Sequence, residues 1–320
     1  MTIELVVDKI TCHTAGIKSF ILRDPHGAQL PAFKAGAHVN LHFMSSKDEA
    51  FSRSYSIVNG EHHRDHYELG ILRVPDGTGG SARLHEILSV GERVQVSLPV
   101  DNFRLVDDTH SPVLIAGGIG VTPLLSMART LEHRAQKYEL HYFGRGEATV
   151  AFLDEIGALE HRTGGNHFGL DSAASRESLR KILASGAGSR HLYVCGPAGL
   201  MQAALEVANE CGWNASTVHF EQFSAGVIGA SNTGFKAVLL QSRLTVDVAP
   251  DETLLDALLK AGVDASFDCR SGVCGSCLAV VAQGAIDHRD SFLTEEDKKE
   301  GVLMCTCVSR AKGHSIELDL

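Results

Sequence analysis

The sequence predicts a multidomain protein of α/β plus β class, with an antiparallel β-barrel, a domain built on a parallel sheet, and a compact α+β domain. Three observations lead to this class. The chain has 320 residues, enough for two or three domains of about 100–200 residues each. Its first hundred residues contain only short strand patterns, whereas later residues alternate between strand and helix patterns. Residues 225–234 are small and uncharged, which is typical of a linker.

The first segment is predicted to form the barrel, because its strand patterns are short and separated by turn residues. These patterns are Glu4–Lys9, Ser19–Leu22, His38–Phe43, Ser54–Val58, Tyr67–Leu72 and Arg93–Ser97.

The second segment is predicted to form a parallel sheet, because strands and helices alternate along it. Its strands are Val113–Ala116, Tyr138–Phe143 and His191–Val194, and its helices are Pro123–Ala135 and Gly199–Cys211. The third segment combines strands with one helix. Its elements are the strands Lys236–Leu240, Leu244–Val248, Leu278–Gln283 and Ser315–Leu318, and the helix Thr253–Ala261. We therefore expect domains at 1–105, 106–224 and 235–320, with 225–234 as the linker.

Composition and charge exclude several classes of protein. The net charge is −10, whereas a nucleic-acid binder needs clustered Lys and Arg to displace counterions from phosphates. The uncharged run His110–Ala128 contains two prolines and three glycines, which do not suit a membrane-spanning helix. The first ten residues lack the basic region and continuous apolar run of a signal peptide. We expect a cytoplasmic monomer that binds neither nucleic acid nor membrane.

The cysteines predict an iron–sulfur centre. Five of the eight cysteines lie in the last 52 residues. Cys269, Cys274 and Cys277 have the spacing C-x4-C-x2-C, which with a later cysteine is the plant-type arrangement for a [2Fe–2S] cluster. Gly272 and Gly275 would let the loop backbone approach the cluster without clashes from a Cβ.

The fourth ligand is left open by spacing alone. Cys305 and Cys307 are both about thirty residues further on, and residues two apart in a strand face the same side. A zinc site is the alternative, but its second half would be Cys305-Thr-Cys307, which is tighter than the paired C-x2-C units of zinc sites.

A glycine-rich turn follows the first strand of the second segment and begins a helix. Gly117, Gly118 and Gly120, followed by Thr122 and Pro123, would let a pyrophosphate approach the backbone at the helix N-terminus. The pattern is not G-x-G-x-x-G, and close packing of a helix on a sheet is the alternative explanation.

A second loop of this segment lies at the expected ligand edge. Cys195, Gly196 and Pro197 follow a later strand, and ligands bind beyond the carboxyl ends of strands in open parallel sheets. The two loops together favour a nucleotide site.

Two motifs in the barrel segment suit a flavin. The first is Arg53, Ser54, Tyr55 and Ser56, and the second is the glycine-rich run Gly77–Ser81. An arginine, hydroxyls and a glycine loop can hold a phosphate and a ring. Taken alone, the first is often only a strand and the second only a turn.

In this order, the motifs resemble the phthalate dioxygenase reductase family. Its members join an FMN-binding antiparallel β-barrel, an NAD-binding parallel-sheet domain of ferredoxin-reductase type and a C-terminal plant-type ferredoxin domain. The resemblance implies an enzyme that takes a hydride from NADH onto FMN. Single electrons would then pass through a [2Fe–2S] cluster to the terminal oxygenase of a Rieske-type non-haem iron dioxygenase, monooxygenase or demethylase. No protein nucleophile or general base is required.

The resemblance also implies a role for each motif. The flavin would contact the residues Arg53, Ser54, Tyr55, Ser56, Gly70, Ile71, Leu72, Gly79, Gly80 and Ser81. The nicotinamide nucleotide would contact the residues Gly117, Gly118, Gly120, Thr122, Pro123, Cys195, Gly196 and Pro197.

Two further strings are similar to those of the family. His219-Phe-Glu221-Gln-Phe223 resembles His-Phe-Glu-x-Phe, which implies that Glu221 and Phe223 belong to the flavin site, with the last aromatic against the flavin. Cys307-Val-Ser-Arg-Ala matches a family string, which implies that Cys307 is the fourth cluster ligand.

Several alternatives stay open at this point. FAD could replace FMN, because FAD-binding relatives share Arg-x-Tyr-Ser. NADPH could replace NADH, because Arg145 follows the second strand of the parallel sheet. A cytochrome P450 could be the electron acceptor, or the chain could be a non-enzymatic redox sensor. Residues 235–320 carry 9 basic and 14 acidic side chains, a net charge of −5, which predicts a basic docking patch on the partner.

Overall fold

The computed structural model of the protein describes residues 2–44, 50–74, 80–107, 111–184, 188, 190–223, 232–250, 252–267, 272, 275–290 and 292–320. The chain divides into two compact units, Met1–Glu221 and Gln222–Leu320. In the described ranges no helix is both long enough and apolar enough to cross a bilayer.

The first unit begins with a six-stranded antiparallel barrel. Its elements are β1 (Thr2–Thr14), β2 (Ile17–Arg23), β3 (His38–Met44), β4 (Ala50–Ser56), β5 (Tyr67–Leu72), α1 (Gly80–Ile87) and β6 (Arg93–Ser97). The strand order is β4-β3-β6-β1-β2-β5, and a bridge between Ile57 and Leu69 brings the chain after β4 back to β5. Alternate residues such as Leu5 and Val7 point inward and are fully buried, because successive side chains of a strand face opposite sides.

The same unit continues into a parallel sheet with helices between its strands. Its elements are β7 (Val113–Gly117), α2 (Val121–His133), β8 (Tyr138–Gly144), α3 (Leu153–Gly157), β9 (Arg162–Thr163), β10 (Asn166–Phe168), α4 (Ser172–Leu183), β11 (Leu192–Cys195), α5 (Ala198–Glu210) and β12 (Val218–Glu221). The order is β10-β8-β7-β11-β12, with β9 also pairing with β8. Every residue of β7 is buried, as expected for a strand that is covered on both faces.

The second unit is a five-stranded mixed sheet with two short helices and a separate two-stranded ladder. Its elements are β13 (Phe235–Leu239), β14 (Leu244–Val248), α6 (Leu254–Lys260), β15 (Leu278–Gln283), β16 (Ile286–Asp287), α7 (Glu295–Glu300), β17 (Leu303–Cys305), β18 (Arg310–Ala311) and β19 (Ser315–Leu318). The sheet order is β14-β13-β19-β15-β17. Side chains at the N-cap begin both helices: Thr253 accepts from the Asp256 N–H, and Thr294 forms a capping box with Asp297.

The predicted fold class is confirmed, and one local prediction needs correction. Gly80 and Ser81 were expected in a glycine-rich loop, but they are the first residues of helix α1. The helix is hard to predict from its first residues because glycine is a poor helix former. The residues after Ser81 form most of it. Gly79 and the rest of the 75–79 stretch lie outside the described residues.

Candidate functional site

Three glycines bring two loops of the parallel sheet into backbone contact. β7 and β11 are adjacent, so the loops after them leave the same edge of the sheet. A Cβ on Gly117 would lie 2.7 Å from Pro197 Cδ, and one on Gly196 would lie 2.9 Å from Gly117 Cα. A Cβ on Gly120 would lie 2.5 Å from the Cys195 carbonyl oxygen. Gly120 and Gly196 therefore require glycine because of the opposing backbone, and Gly117 because of the side chains of Leu200 and Pro197.

The N-terminus of α2 is arranged to accept an anion. Its N-cap is Gly120, and among the described residues no side chain caps it. The Thr122 hydroxyl donates to the Ile119 carbonyl at 3.0 Å. This hydroxyl therefore does not cap the amide groups of the first helical turn. The Tyr142 hydroxyl donates to the Gly118 carbonyl at 3.0 Å and fixes the turn from the neighbouring strand. Exposed amides and the helix dipole at this point favour a phosphate.

An arginine lies at the N-terminus of helix α1 in the barrel. A Cβ on Gly80 would lie 2.9 Å from Arg53 Nε, so the guanidinium packs directly against the helix start. Arg53 Nη1 donates to the Ser52 carbonyl at 2.7 Å. The Ser81 hydroxyl accepts from the Val74 N–H at 3.0 Å, which ties the helix to the chain that follows β5. A cation beside helix amides is a suitable site for a phosphate.

The other barrel residues predicted to contact flavin lie on β4 and β5. The Ser54 hydroxyl donates to Asn40 Oδ1 at 2.6 Å, and burial raises the pKa of the Tyr55 phenol. Ile71 is fully buried and its carbonyl accepts from His85 Nε2 at 2.9 Å, whereas Leu72 is 37% exposed. The strand therefore offers one buried and one accessible apolar side chain.

Gly70 joins the two predicted sites. A Cβ at Gly70 would lie 2.7 Å from Thr122 Cγ2 and 3.2 Å from Phe152 Cε2. The barrel strand β5 therefore packs against the first turn of α2. The contact places the strand predicted to border a flavin ring directly beside the turn predicted to bind the nucleotide.

A buried polar cluster lies at the end of the last parallel strand. Glu221 is 4% exposed, it pairs with Cys195 across β12 and β11, and the Ser56 hydroxyl donates to its Oε2 at 3.5 Å. His38 Nδ1 lies 4.0 Å from Glu221 Oε1. Burial raises the pKa of Glu221 to about 8 and lowers the pKa of His38 to about 4. Burial also raises the pKa of the Cys195 thiol.

Sequence reasoning missed His38, because it is one residue in a barrel strand with no motif around it. Its partner in the β3–β4 ladder is Ser56, so it lies directly opposite the last residue of the Arg-x-Tyr-Ser motif. The pairing of the two strands is the only signal for its place in the site. Phe223, the other residue of the last string, belongs to the second unit and is 40% exposed.

The described cysteines of the second unit converge in its apolar interior. Cys277 Sγ and Cys307 Sγ are 3.1 Å apart, and both residues are buried in a cluster that also contains Cys305. Two thiolates this close can ligate one iron, so the pair fits one end of a [2Fe–2S] cluster. Cys269 and Cys274 lie outside the described residues.

The two candidates for the fourth ligand have different backbone conformations. β17 ends at Cys305, and the next residues form a turn in which Cys307 lies. The expectation that both cysteines face one side of a continuous strand is therefore wrong, because strand alternation stops at Cys305. The Thr306 N–H and hydroxyl both donate to the Cys277 carbonyl at 3.1 Å, which holds this turn beside Cys277.

Both glycines of the cysteine loop are required by the fold. Gly272 and Gly275 each have φ of +75°, a conformation that favours glycine. A Cβ on Gly272 would lie 2.7 Å from Val308 Cγ2, and one on Gly275 would overlap the ring of Phe292. Gly272 is therefore packed against the residue that follows Cys307, whereas Gly275 is packed against a residue that precedes helix α7.

Comparisons with known proteins match all three parts of the chain. Family models described as an oxidoreductase FAD-binding domain, an oxidoreductase NAD-binding domain and a 2Fe-2S iron-sulfur cluster binding domain match residues 3–105, 114–206 and 238–312. The vanillate O-demethylase oxidoreductase of Acinetobacter baylyi is 36% identical over 324 residues, covering 100% of this chain and 99% of that protein. The phthalate dioxygenase reductase of Burkholderia cepacia is 35% identical over 307 residues, covering 95% and 93%.

Solved structures agree with these relatives. A phthalate dioxygenase reductase superposes with a TM-score of 0.74 at 34% identity and covers 100% of this chain and 98% of its own. An intact type IV self-sufficient cytochrome P450 monooxygenase has a TM-score of 0.76 at 33% identity, but this chain spans only 41% of it. The chain therefore belongs to the phthalate dioxygenase reductase family, and it is an oxidoreductase with flavin-, NAD- and [2Fe–2S]-binding domains.

Proposed function

We propose that this chain is the reductase component of a Rieske-type non-haem iron oxygenase system and delivers electrons from NADH to the terminal oxygenase. The observation that carries this proposal is the Gly70–Thr122 contact. This contact joins barrel strand β5 to the predicted nucleotide-binding turn within the first unit. The second unit of the same chain contains buried thiols. Relatives named as reductases or oxidoreductases of demethylases, monooxygenases and dioxygenases support the choice of acceptor.

When bound, a flavin would supply hydride acceptance from NADH and release of single electrons, and a [2Fe–2S] cluster would supply one-electron transfer. The chain's own residues hold and orient the reactants. Arg53 and the α1 amides would bind the flavin phosphate, and the α2 amides would bind the pyrophosphate of NADH. Gly117 and Gly196 let the two nucleotide loops approach closely enough for both to line one site. Cys277 and Cys307 would ligate one iron of the cluster.

FMN is the flavin that we propose. The anion site that Arg53 makes at Gly80 suits one terminal phosphate, and the family resemblance points the same way. Mass spectrometry of the flavin released from the purified protein distinguishes FMN from FAD. We expect the mass of FMN, and the mass of FAD would overturn the choice. We also propose NADH as the donor, on the resemblance alone, and NADPH is the competing donor because Arg145 is exposed at the end of β8.

The test of the proposed function is an anaerobic titration of the purified protein with NADH, followed by its visible spectrum. About three electrons per chain are expected, two for the flavin and one for the cluster. Bleaching of the flavin absorption alone would mean that the cluster is absent or isolated, and the electron-transfer proposal would fail. Reduction by NADPH but not by NADH would change only the donor.

A cytochrome P450 is the second candidate acceptor, because an intact self-sufficient P450 contains a region that matches the whole of this chain. Turnover with a purified Rieske oxygenase and with a P450, each supplied with the same reductase and NADH, separates the two. A redox sensor would instead consume NADH slowly with an artificial acceptor.

We make three further proposals, about the domain limits, the oligomeric state and the cellular location. The domain limits are 1–105, 106–224 and 235–320 around a linker at 225–234, the protein is a monomer, and it is cytoplasmic. Sedimentation of the flavin-loaded protein measures the oligomeric state, and a dimer would overturn that proposal.

A further inference from the structure

His38 is a buried titratable group to which the electron-transfer proposal gives no role. It begins β3 and is 2% exposed. Both ring nitrogens are buried and have no hydrogen-bond partner within the described part of the chain. A buried polar atom without a partner costs free energy, so such a side chain in a native core requires an explanation.

The one carboxyl group that His38 faces in the described ranges is that of Glu221. Its Oε1 lies 4.0 Å from His38 Nδ1, and Glu221 is itself only 4% exposed. This distance is too long for a hydrogen bond but short enough for strong electrostatic coupling in a dry interior. A movement of the imidazole by about 1 Å would bring the two atoms within hydrogen-bond range.

Within the described residues, the side chains of Ser56 and Cys195 lie beside Glu221, and both are neutral. The Ser56 hydroxyl donates to Glu221 from β4, and the Cys195 thiol lies beside Glu221 on β11 with its pKa raised by burial. Between about pH 4 and about pH 8 the His38–Glu221 pair therefore holds one proton and carries no net charge. The proton can sit on the carboxyl, or it can sit on the imidazole as half of an ion pair.

We propose that His38 is a positioning residue that takes the proton of Glu221 when the nicotinamide ring becomes positively charged. The Glu221 O–H bond breaks and an N–H bond forms on His38, with no change in the number of electrons or in the net charge of the pair. The resulting carboxylate stabilises the NAD+ ring. This inference rests on the proposed function, because Cys195, next to Glu221, is expected to border the nicotinamide.

A buried glutamate without a histidine beside it could not give up its proton when NAD+ forms. Without an acceptor its proton would have to leave the interior when NAD+ forms, and a fixed carboxylate would be costly before NAD+ forms. A buried imidazole at 4.0 Å supplies the acceptor inside the site, so the carboxylate forms only when NAD+ does, and the imidazolium balances its charge.

The test is infrared difference spectroscopy of the oxidised, flavin- and cluster-loaded protein with and without NAD+ at pH 7. The carbonyl stretch of a protonated carboxyl should be present in the free enzyme and should disappear when NAD+ binds. Its absence from Glu221→Gln would assign it. In His38→Gln the band should remain after NAD+ binds, while in the control His141→Gln, a buried histidine on β8 outside the site, it should disappear as in the wild type.

Kinetics provide the second readout. Reduction of the flavin by NADH, followed by stopped flow at pH 7, should be about tenfold slower in His38→Gln. A tenfold change equals a shift of one pKa unit in the equilibrium between the two protonation states. His38→Asn should behave in the same way if His38→Gln does not fold. A wild-type band that NAD+ leaves unchanged, or loss of the band in both His38 variants, would overturn the inference. Failure to bind NAD+ or to be reduced by NADH would instead overturn the proposed function.

Discussion

Cys305 and Cys307 are two residues apart and equally buried, yet they have different backbone settings. Cys305 ends strand β17, whereas Cys307 lies in the following turn and its Sγ is 3.1 Å from Cys277 Sγ. The Thr306 side chain and amide anchor this turn on the Cys277 carbonyl. The Cys305 thiol also interacts with Cys277, so we propose Cys307 as the ligand that shares an iron with Cys277 because of the family string.

Substitution of the two thiols tests this assignment directly. Cys307→Ser should lose most of the iron and the iron–sulfur absorption, because a buried thiolate ligand is removed. Reduction of the flavin by NADH should survive, since that chemistry uses the first unit. Cys305→Ser is the matched control, and its iron content should stay near that of the wild type. The reverse pattern of iron content would show that Cys305 is the ligand.

Glu221 makes stability depend on pH in a direction that can be worked out. The ordinary pKa of this carboxyl is 4.5, and burial raises it to about 8 in the native state. Between these values the native state holds a proton that the unfolded chain has released. The free energy of unfolding therefore falls as the pH rises from about 4.5 to about 8.

Glu221→Gln removes this titration, so the variant should melt at a higher temperature than the wild type at pH 8. The difference should shrink as the pH is lowered towards 5, because the native carboxyl is then fully protonated and the unfolded carboxyl approaches its ordinary pKa of 4.5. Calorimetry at the two pH values measures it. A difference in melting temperature that is the same at pH 5 and pH 8 would contradict the raised pKa.

At the scale of elements, the nucleotide site depends on how closely two strand–helix turns approach. The turn from β7 to α2 and the turn from β11 to α5 meet at Gly117 and Gly196, whose backbones leave no room for a Cβ. Gly120 adds a third contact, against the Cys195 carbonyl. A methyl group at any of these points must push the two elements apart, and the interior cannot absorb such a shift cheaply.

Gly196→Ala should therefore weaken NADH binding. Overpacking a tight contact costs about 1–3 kcal/mol, so the KM for NADH should rise roughly tenfold or more. The flavin content should stay unchanged, because Arg53 and α1 are remote from this loop in the chain. Gly157→Ala is the control, since a Cβ there meets nothing within 4 Å and its φ is not positive. An unchanged KM in Gly196→Ala would show that the loops can move apart freely.

At the scale of the whole molecule, negative charge is concentrated towards the carboxyl end. Residues 235–320 carry half of the net charge of −10 in roughly a quarter of the chain. Helix α7, with the sequence Glu-Glu-Asp-Lys-Lys-Glu, contributes four of these acidic residues. Charge of one sign steers association with a partner of the opposite sign, and salt screens it over a Debye length of about 10 Å at 0.1 M.

Turnover with the cognate oxygenase should therefore weaken as ionic strength rises. The KM for the reductase should increase several-fold between low salt and about 0.5 M salt, since the Debye length falls well below 10 Å. Reduction of a small uncharged artificial acceptor should be unaffected, which controls for damage to the enzyme. Insensitivity of oxygenase turnover to salt would exclude electrostatic docking.

The fold class, the order of the three domains and the type of each site could be predicted from the amino-acid sequence. These features are carried by local patterns: the spacing of Cys269, Cys274 and Cys277, the glycine turn after a buried strand, and the alternation of strands and helices. Local patterns are readable because each depends on residues within one turn or one strand. Helices α1, α3, α4 and α7 are not predicted: α1 begins with glycine, α3 and α7 are short, and α4 has three buried residues.

The contacts between residues far apart in the chain could not be predicted from the sequence and became visible in the folded structure. Glu221 lies 165 residues from Ser56 along the chain, and no local pattern relates Glu221 to His38. Strand pairing places His38 opposite Ser56, and the packing of the barrel on the parallel sheet then brings both to Glu221. The setting of Cys307 likewise depended on where β17 ends. Such contacts arise from the packing of whole elements, so their residues carry no signal until the elements are assembled.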